Sequence, residues 1–302
     1  MPKVLVILGP NASGKSSTAI ALARKFNGEV ISADSRQVYR GMDIGTGKVE
    51  GKMQTIEGKQ AFVSEGVPHY MIDIVNPKTE YNVAKFKREA YKLIPWILER
   101  GKLPIICGGT MFWVSAVVDN LEFPKVIPNS ALRAELFKQD IKELFERLKK
   151  LDPKRASTID PKNKIRLVRA LEICESADTV GALTKAKPLY NFLQIGITWP
   201  REVLNERILN RLNEWFEQGI VDEVERLHKQ GLSWSRMEQF GLEYRYISRY
   251  LRGKLDFEEM KEQLFIAIRQ YAKRQMTWFK RDKRIIWENN LKNMVVLIRN
   301  WL

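Results

Sequence analysis

Through the first third of the chain, short apolar runs alternate with stretches in which apolar positions recur every three or four residues. Val4 to Leu8 precede a helical pattern from 15 to 26, and Glu29 to Ala33 form a second run. A helix is predicted over about 83 to 99, and Leu103 to Cys107 lead into another from about Thr110. Such alternation predicts a parallel sheet with helices on both faces. The pattern changes at Pro124. Pro124, Pro128 and Asn129 read as a linker, after which residues from about 130 to 180 show helical periodicity, many charges and almost no strand signal. Lys185 to Pro188 closes this stretch, and Phe192 to Thr198 returns as a buried strand. The remainder reads as largely helical, with a short strand near Arg284 to Trp287 and a terminal amphipathic helix. The expected organisation is an α/β core built from 1–123 and 191–302, interrupted by an all-helical subdomain over 124–190 and finished by a helical C-terminal region.

Composition narrows the function. The 302 residues are enough for about two domains. No apolar run approaches the ~18 residues that span a bilayer, and Val4 to Leu8 is too short for a signal-peptide core, so no membrane contact and a cytoplasmic location are expected. Cys107 and Cys174 lie in apolar surroundings without a C-x-x-C pattern. With only His69 and His228 as further soft ligands, they are expected to be core residues rather than a disulfide or a zinc site.

Charge points to a polyanionic partner, because 51 Lys and Arg against 36 Asp and Glu give a net +15. The excess is clustered. Residues 268–284 hold seven basic side chains and one acid, and 124–190 hold 15 basic and 9 acidic ones, a net +6. On a helix, Arg269, Lys273 and Lys280 share one stripe, while Ile268, Ala272, Met276 and Phe279 form an apolar face. A helix docked on the core and presenting a basic face suits a nucleic-acid backbone.

The motif that carries chemistry is Gly9-Pro-Asn-Ala-Ser-Gly-Lys-Ser16, a G-x-x-x-x-G-K-S phosphate loop directly after the first apolar run. Gly9 and Gly14 let the backbone turn N–H groups around an anion, Lys15 adds a point charge, and the Ser16 hydroxyl is suited to hold Mg²⁺. Asn11, Ala12, Ser13 and Ser17 complete the expected diphosphate cradle. The core is therefore P-loop NTPase-like. At the C-terminal end of the second run stands Asp34, where parallel sheets bind ligands. An acid there could cap a turn, bind metal or act as a general base, and spacing alone leaves all three open.

These residues resemble those of the tRNA dimethylallyltransferases (tRNA isopentenyltransferases), in the bacterial form. The phosphate loop is similar to the family's G-P-T-A-S-G-K-T/S, and Asp34-Ser-Arg-Gln-Val-Tyr-Arg-Gly-Met-Asp-Ile-Gly-Thr46 to its D-S-x-Q-V-Y-K/R-G-M-D-I-G-T signature. Pro68-His69 with Ile72-Asp73, Gly108-Gly-Thr110, Arg166 to Glu172 and Ala272 to Trp278 follow in order, so the likeness runs nearly end to end.

The resemblance implies transfer of a dimethylallyl group from dimethylallyl diphosphate to N6 of adenosine 37, beside a tRNA anticodon. Asp34 would accept the N6 proton, and Thr110 would approach the bridging oxygen of the diphosphate. Arg207 and Arg211, four apart on one helix face, match an R-x-x-x-R that reaches the diphosphate, with Arg211 the favoured contact. Asp34, Ser35, Arg36 and Gln37, with Thr110, would surround the flipped target base. Arg133, Arg166 and Arg169 are expected near the anticodon stem, Tyr244 and Arg245 at a further tRNA contact, and Arg269, Lys273 and Arg274 on phosphates. The anticodon stem-loop and dimethylallyl diphosphate are the implied partners, Mg²⁺ the implied cofactor, and a monomer is expected. Asn11 stands where the family usually has Thr, and Gly241-Leu-Glu-Tyr-Arg245 departs from its G-Y-K/R. Ile268-Arg269 replaces the usual Thr-Arg, and the zinc extension of eukaryotic relatives is absent. Rival readings from the phosphate loop alone are a small-molecule or nucleotide kinase and an RNA-binding P-loop ATPase.

Overall fold

A computed structural model describes residues 1–124, 126–176 and 184–302. It divides into two compact units, Met1–Val118 with Pro188–Leu302, and Asp119–Lys187. The sequence puts these junctions at 124 and 190, and residues 177–180 of its expected helical stretch lie outside the described residues.

The first unit begins β1 (Lys3–Leu8), α1 (Lys15–Lys25), β2 (Gly28–Ser32), β3 (Lys52–Ile56), β4 (Lys59–Ser64), β5 (Val67–Tyr70), α2 (Val83–Glu99), β6 (Leu103–Gly108) and α3 (Met111–Val118). The second holds β7 (Leu121–Glu122), α4 (Ser130–Leu136), α5 (Ile141–Leu151), α6 (Pro153–Ala156), α7 (Lys164–Ser176) and β8 (Thr184–Lys185). The chain then returns through β9 (Asn191–Gly196), α8 (Arg201–Glu217), α9 (Ile220–Lys229), α10 (Trp234–Phe240), α11 (Leu242–Leu251), α12 (Phe257–Phe279), β10 (Ile285–Trp287) and α13 (Leu291–Trp301).

Eight strands form one sheet in the order β10-β9-β1-β6-β2-β5-β4-β3. Pairing is parallel from β10 to β5 and antiparallel from β5 to β3. The strand period of two sends Val4, Val6 and Leu8 to one face and Leu5 and Ile7 to the other. α2, α3, α8, α9 and α12 cover the first face, and α1 and α13 the second.

The antiparallel extension is not anticipated by the apolar pattern, because β3 is almost wholly exposed and carries no buried face to read. Its signal is local. Glu57-Gly58 joins β3 to β4, and Glu65-Gly66 joins β4 to β5, each with positive φ at both positions (45° and 80°, then 49° and 78°). Two-residue loops of that geometry make tight hairpins whose twist matches the strands.

The second unit has a leucine-rich core of Leu136, Leu144, Leu148, Leu167 and Leu171. Inside it the fully buried Glu172 accepts from Arg133 Nε at 2.8 Å and Nη2 at 2.9 Å, from Asn129 N–H at 2.6 Å and from Arg169. Burial pushes the Glu172 carboxyl up, yet these donors together outweigh it and hold the group below the ordinary range. A short antiparallel pair, β7 with β8, adds strand at the foot of a unit expected to be all helical. No helix among the described residues is long and apolar enough to cross a membrane.

Candidate active site

The phosphate loop joins β1 to α1. A Cβ on Gly9 would stand 2.3 Å from the Ile197 carbonyl oxygen of the neighbouring strand's exit, so the close approach demands glycine. Ala12 has φ 61° and Gly14 φ 92°, and α1 starts without a side-chain cap, which leaves its first N–H groups for an anion. The loop's carbonyls are drawn away from that concavity. Trp199 Nε1–H donates to Ser13 O at 2.9 Å, Arg207 Nε–H to Ala12 O at 2.8 Å, and Lys15 Nζ to Pro10 O at 3.0 Å. Ser17 and Thr18 hydroxyls return to Gly14 O, whereas the Ser16 hydroxyl has no protein partner among the described residues and lines the cavity.

Gln275 of α12, 1 % exposed, ties the loop to the end of the neighbouring strand β6. Its Oε1 accepts from Asn11 N–H at 2.9 Å and its Nε2–H donates to Gly109 O at 2.8 Å. The apolar stripe expected on this helix is therefore interrupted. Ile268, Ala272 and Phe279 are buried, but Gln275 takes the turn between them, and Met276 lies partly exposed beside Arg269. A buried glutamine in an otherwise apolar stripe is the signal that sequence reasoning passed over.

Beyond the loop opens a cavity of about 310 Å³, reaching from Lys15 and Ser16 past Asp34 and Thr110 to Arg211, Glu243 and Tyr271. Asp34 follows β2, and its Oδ1 accepts from Arg36 N–H at 2.8 Å. Turn stabilisation, one of the three jobs open to this acid, thus occupies one oxygen and leaves the other. Thr110 follows β6, and its Oγ1 accepts from Ser35 N–H at 3.0 Å instead of capping α3 with its side chain. The register of β2 against β6, Ser32 opposite Cys107, is what makes Asp34 and Thr110 neighbours.

Lys15, Arg36 and Arg211 all have their pKa lowered by burial, eased for Lys15 and Arg36 by Asp34 and aggravated for Arg211 by Arg207. Of the two arginines of α8, Arg207 donates through Nε–H to Ala12 O, lies over the Trp199 ring and brings Nη2 to 3.5 Å from where a Cβ on Gly14 would stand, whereas Arg211 lines the cavity beside Trp215.

Several residues expected to meet nucleic acid have other partners. Gln37 accepts from Ser32 Oγ at 2.9 Å and donates to Thr46 O and Gly47 O at 3.3 Å, so its amide hydrogens clamp a loop. Tyr244 is 1 % exposed, and its hydroxyl donates to Glu223 Oε1 at 2.8 Å. Glu223 in turn accepts from the N–H groups of Asp43, Ile44 and Gly45, holding the loop that forms one wall of the cavity. The Arg245 guanidinium donates to Glu238 O at 2.9 and 3.1 Å. In the second unit Arg133 and Arg169 are engaged by buried Glu172, while Arg166 is exposed. Of the α12 cations, Arg269 and Lys273 line a separate groove with Trp199, Arg201 and Lys280, and Arg274 lines the main cavity.

The IPP transferase family matches residues 37–282, and the isopentenyl transferase family matches residues 2–63. The chain belongs to the IPP transferase family. It is 44 % identical over 281 residues to a tRNA dimethylallyltransferase of Geotalea uraniireducens, covering 93 % of this chain and 89 % of that one. It is 42 % identical to one of Acetivibrio thermocellus, covering 96 % and 92 %. Among solved structures, the full-length tRNA isopentenylpyrophosphate transferase of Bacillus halodurans aligns with a TM-score of 0.71 at 36 % identity, covering 100 % of this chain and 95 % of that one. A eukaryotic dimethylallyltransferase described as acting on tRNA aligns with a TM-score of 0.72 at 27 % identity, covering 97 % and 75 %. Within this family's fold, the phosphate loop, Asp34, Thr110 and Arg211 converge on one cavity, and Gln275 and Glu223 hold its walls.

Proposed function

We propose that this chain transfers the dimethylallyl group of dimethylallyl diphosphate to N6 of adenosine 37 in tRNA, giving N6-dimethylallyladenosine and diphosphate. The observation that carries the reading is the cavity in which a phosphate loop faces the Asp34 carboxyl, one oxygen of which has no partner among the described residues. A kinase needs the phosphate loop but not the separate basic groove of Arg269, Lys273 and Lys280.

The diphosphate lies against the N–H groups opening α1, with Lys15 and Arg211 on its oxygens. The Ser16 hydroxyl, free of protein partners, fits a Mg²⁺ ligand, and no cluster of three or more His, Cys, Asp or Glu among the described residues competes as a metal site. When bound, the ion would neutralise charge on the diphosphate. As the allylic C–O bond breaks, its electron pair leaves with the diphosphate, whose growing charge meets donors already oriented. The Thr110 hydroxyl, at 3.4 Å from Ser35 Oγ, makes a long contact that a phosphate oxygen would displace, so it donates to the bridging oxygen. The N6 nitrogen forms the new C–N bond, and its proton passes to the free oxygen of Asp34. General-base help of this kind contributes ~10²- to 10⁴-fold. Arg269 and Lys273 bind backbone phosphates, which fix register without reading sequence. The enzyme works as a monomer in the cytoplasm, where its tRNA substrate is.

Mass spectrometry of nucleosides tests this directly. Purified protein, Mg²⁺, dimethylallyl diphosphate and an unmodified tRNA with adenosines at 36 to 38 should yield one dimethylallyl group on adenosine. Hydrolysis of ATP without that product would replace the reading with a nucleotide-driven one.

A further inference from the structure

Glu243 is the residue at which this chain departs from the expected G-Y-K/R, and it opens the first turn of α11 immediately after Gly241 and Leu242, both at positive φ (78° and 38°). That bend turns the helix start into the cavity. The Glu243 side chain lines the same space as Asp34, Thr110 and Tyr271, and the residue is 6 % exposed. Its carboxyl takes a hydrogen bond from its own backbone N–H and has no other protein hydrogen-bond partner among the described residues. A buried acid with spare donor and acceptor capacity facing a ligand cavity is costly unless the ligand completes it.

The surroundings decide its protonation state. Burial pushes the Glu243 carboxyl up to about 8, aided by the charge of Asp34 and opposed by its own N–H, Arg36 and Arg211. Tyr271 on α12 and Tyr244 on α11 face it as neutral phenols, both raised by burial, and Arg274, Arg245 and Lys15 also line the space. At neutral pH the group is therefore an acid with one O–H donor and one carbonyl acceptor.

We propose that Glu243 reads the acceptor base, donating its O–H to a ring nitrogen of adenine and accepting one N6 hydrogen, while Asp34 takes the other. This is the donor and acceptor pair by which glutamine recognises adenine. The inference rests on the prenyl-transfer reading of the cavity and adds to it a residue that positions the acceptor base.

The test compares wild type, Glu243→Gln and Glu243→Leu in single-turnover prenylation of an anticodon stem-loop RNA between pH 6 and 9.5. Glu243→Gln preserves the donor and acceptor and removes the titration. It should react within about threefold of wild type at pH 7 and hold its rate to pH 9, while wild type falls above pH 8. Glu243→Leu should lose ~10- to 100-fold, the range of one bidentate base contact. A Glu243→Gln rate as low as that of Leu would make the carboxyl a proton carrier and overturn the proposal, as would identical pH profiles for wild type and Gln. Because the wild type and Gln comparison suffices, misfolding of the Leu variant does not blunt the test. Absence of product from wild type at every pH would instead sink the parent reading.

Discussion

Replacing Glu223 with alanine tests whether the wall of the cavity is held as the structure implies. Glu223 is 4 % exposed and accepts from Asp43 N–H and Ile44 N–H at 2.8 Å each, Gly45 N–H at 3.2 Å and Tyr244 O–H at 2.8 Å. Each buried donor left without a partner costs about 1–3 kcal/mol. The four do not add, because Asp43 is exposed and its N–H rehydrates, whereas Gly45 and Tyr244 stay buried. Two effective losses give ~2–6 kcal/mol for Glu223→Ala. In Glu223→Gln one oxygen still accepts, and the new amide N–H₂ opposes Gly45 N–H and the phenol. The phenol can turn to accept, so the cost falls to ~1–2 kcal/mol. Urea denaturation followed by circular dichroism should rank wild type above Gln above Ala. Prenyl transfer should fall in the same order, because Gly45, Thr46 and Gly47 line the cavity. An alanine variant within 0.5 kcal/mol of wild type would refute the claim that this carboxylate organises the loop.

Gln275→Leu should leave Asn11 N–H and Gly109 O unpaired and weaken dimethylallyl diphosphate binding about tenfold, read by isothermal titration, with a smaller effect on tRNA affinity. Lys273→Ala should reduce the salt slope of tRNA binding by about one, without changing diphosphate affinity; an unchanged slope makes the groove an ordinary solvated face. A raised carboxyl contributes stability that is complete below its unfolded value and disappears as pH rises through its folded value. Wild type should therefore lose stability relative to Glu243→Gln between pH 4.5 and about 8, by up to roughly 5 kcal/mol, because the loss grows by roughly 1.4 kcal/mol for every pH step of one across that window. Parallel stability curves for the two proteins would place Glu243 in a solvated environment.

In the parallel half of the sheet β1, β2, β6 and β9 were legible as apolar runs, whereas β5, Val67–Tyr70, with a proline and a histidine at its centre, was not. The hairpins were not, since an exposed edge strand has no pattern and only Glu-Gly turns announce it. The phosphate loop and Asp34 could be read because short-range spacing defines them. Glu223 was not read, because the backbone N–H groups it holds stand 178 or more residues away, and Gln275, although a polar position in an apolar stripe, has partners 166 or more residues away. A basic side chain in the sequence also says nothing of what neutralises it. Arg133 and Arg169, expected near the anticodon stem, share the buried Glu172, one carboxylate between two guanidiniums.

The central claim, that Asp34 takes the proton while the phosphate loop holds the leaving group, is tested most directly by rapid-quench single turnovers of Asp34→Asn with saturating donor and stem-loop RNA. The asparagine keeps the acceptor for Arg36 N–H, so the turn survives. The account predicts RNA and donor affinities within a few-fold of wild type and a transfer rate lower by ~10² or more. Equal transfer rates with unchanged affinities would contradict it and remove Asp34 from the chemistry.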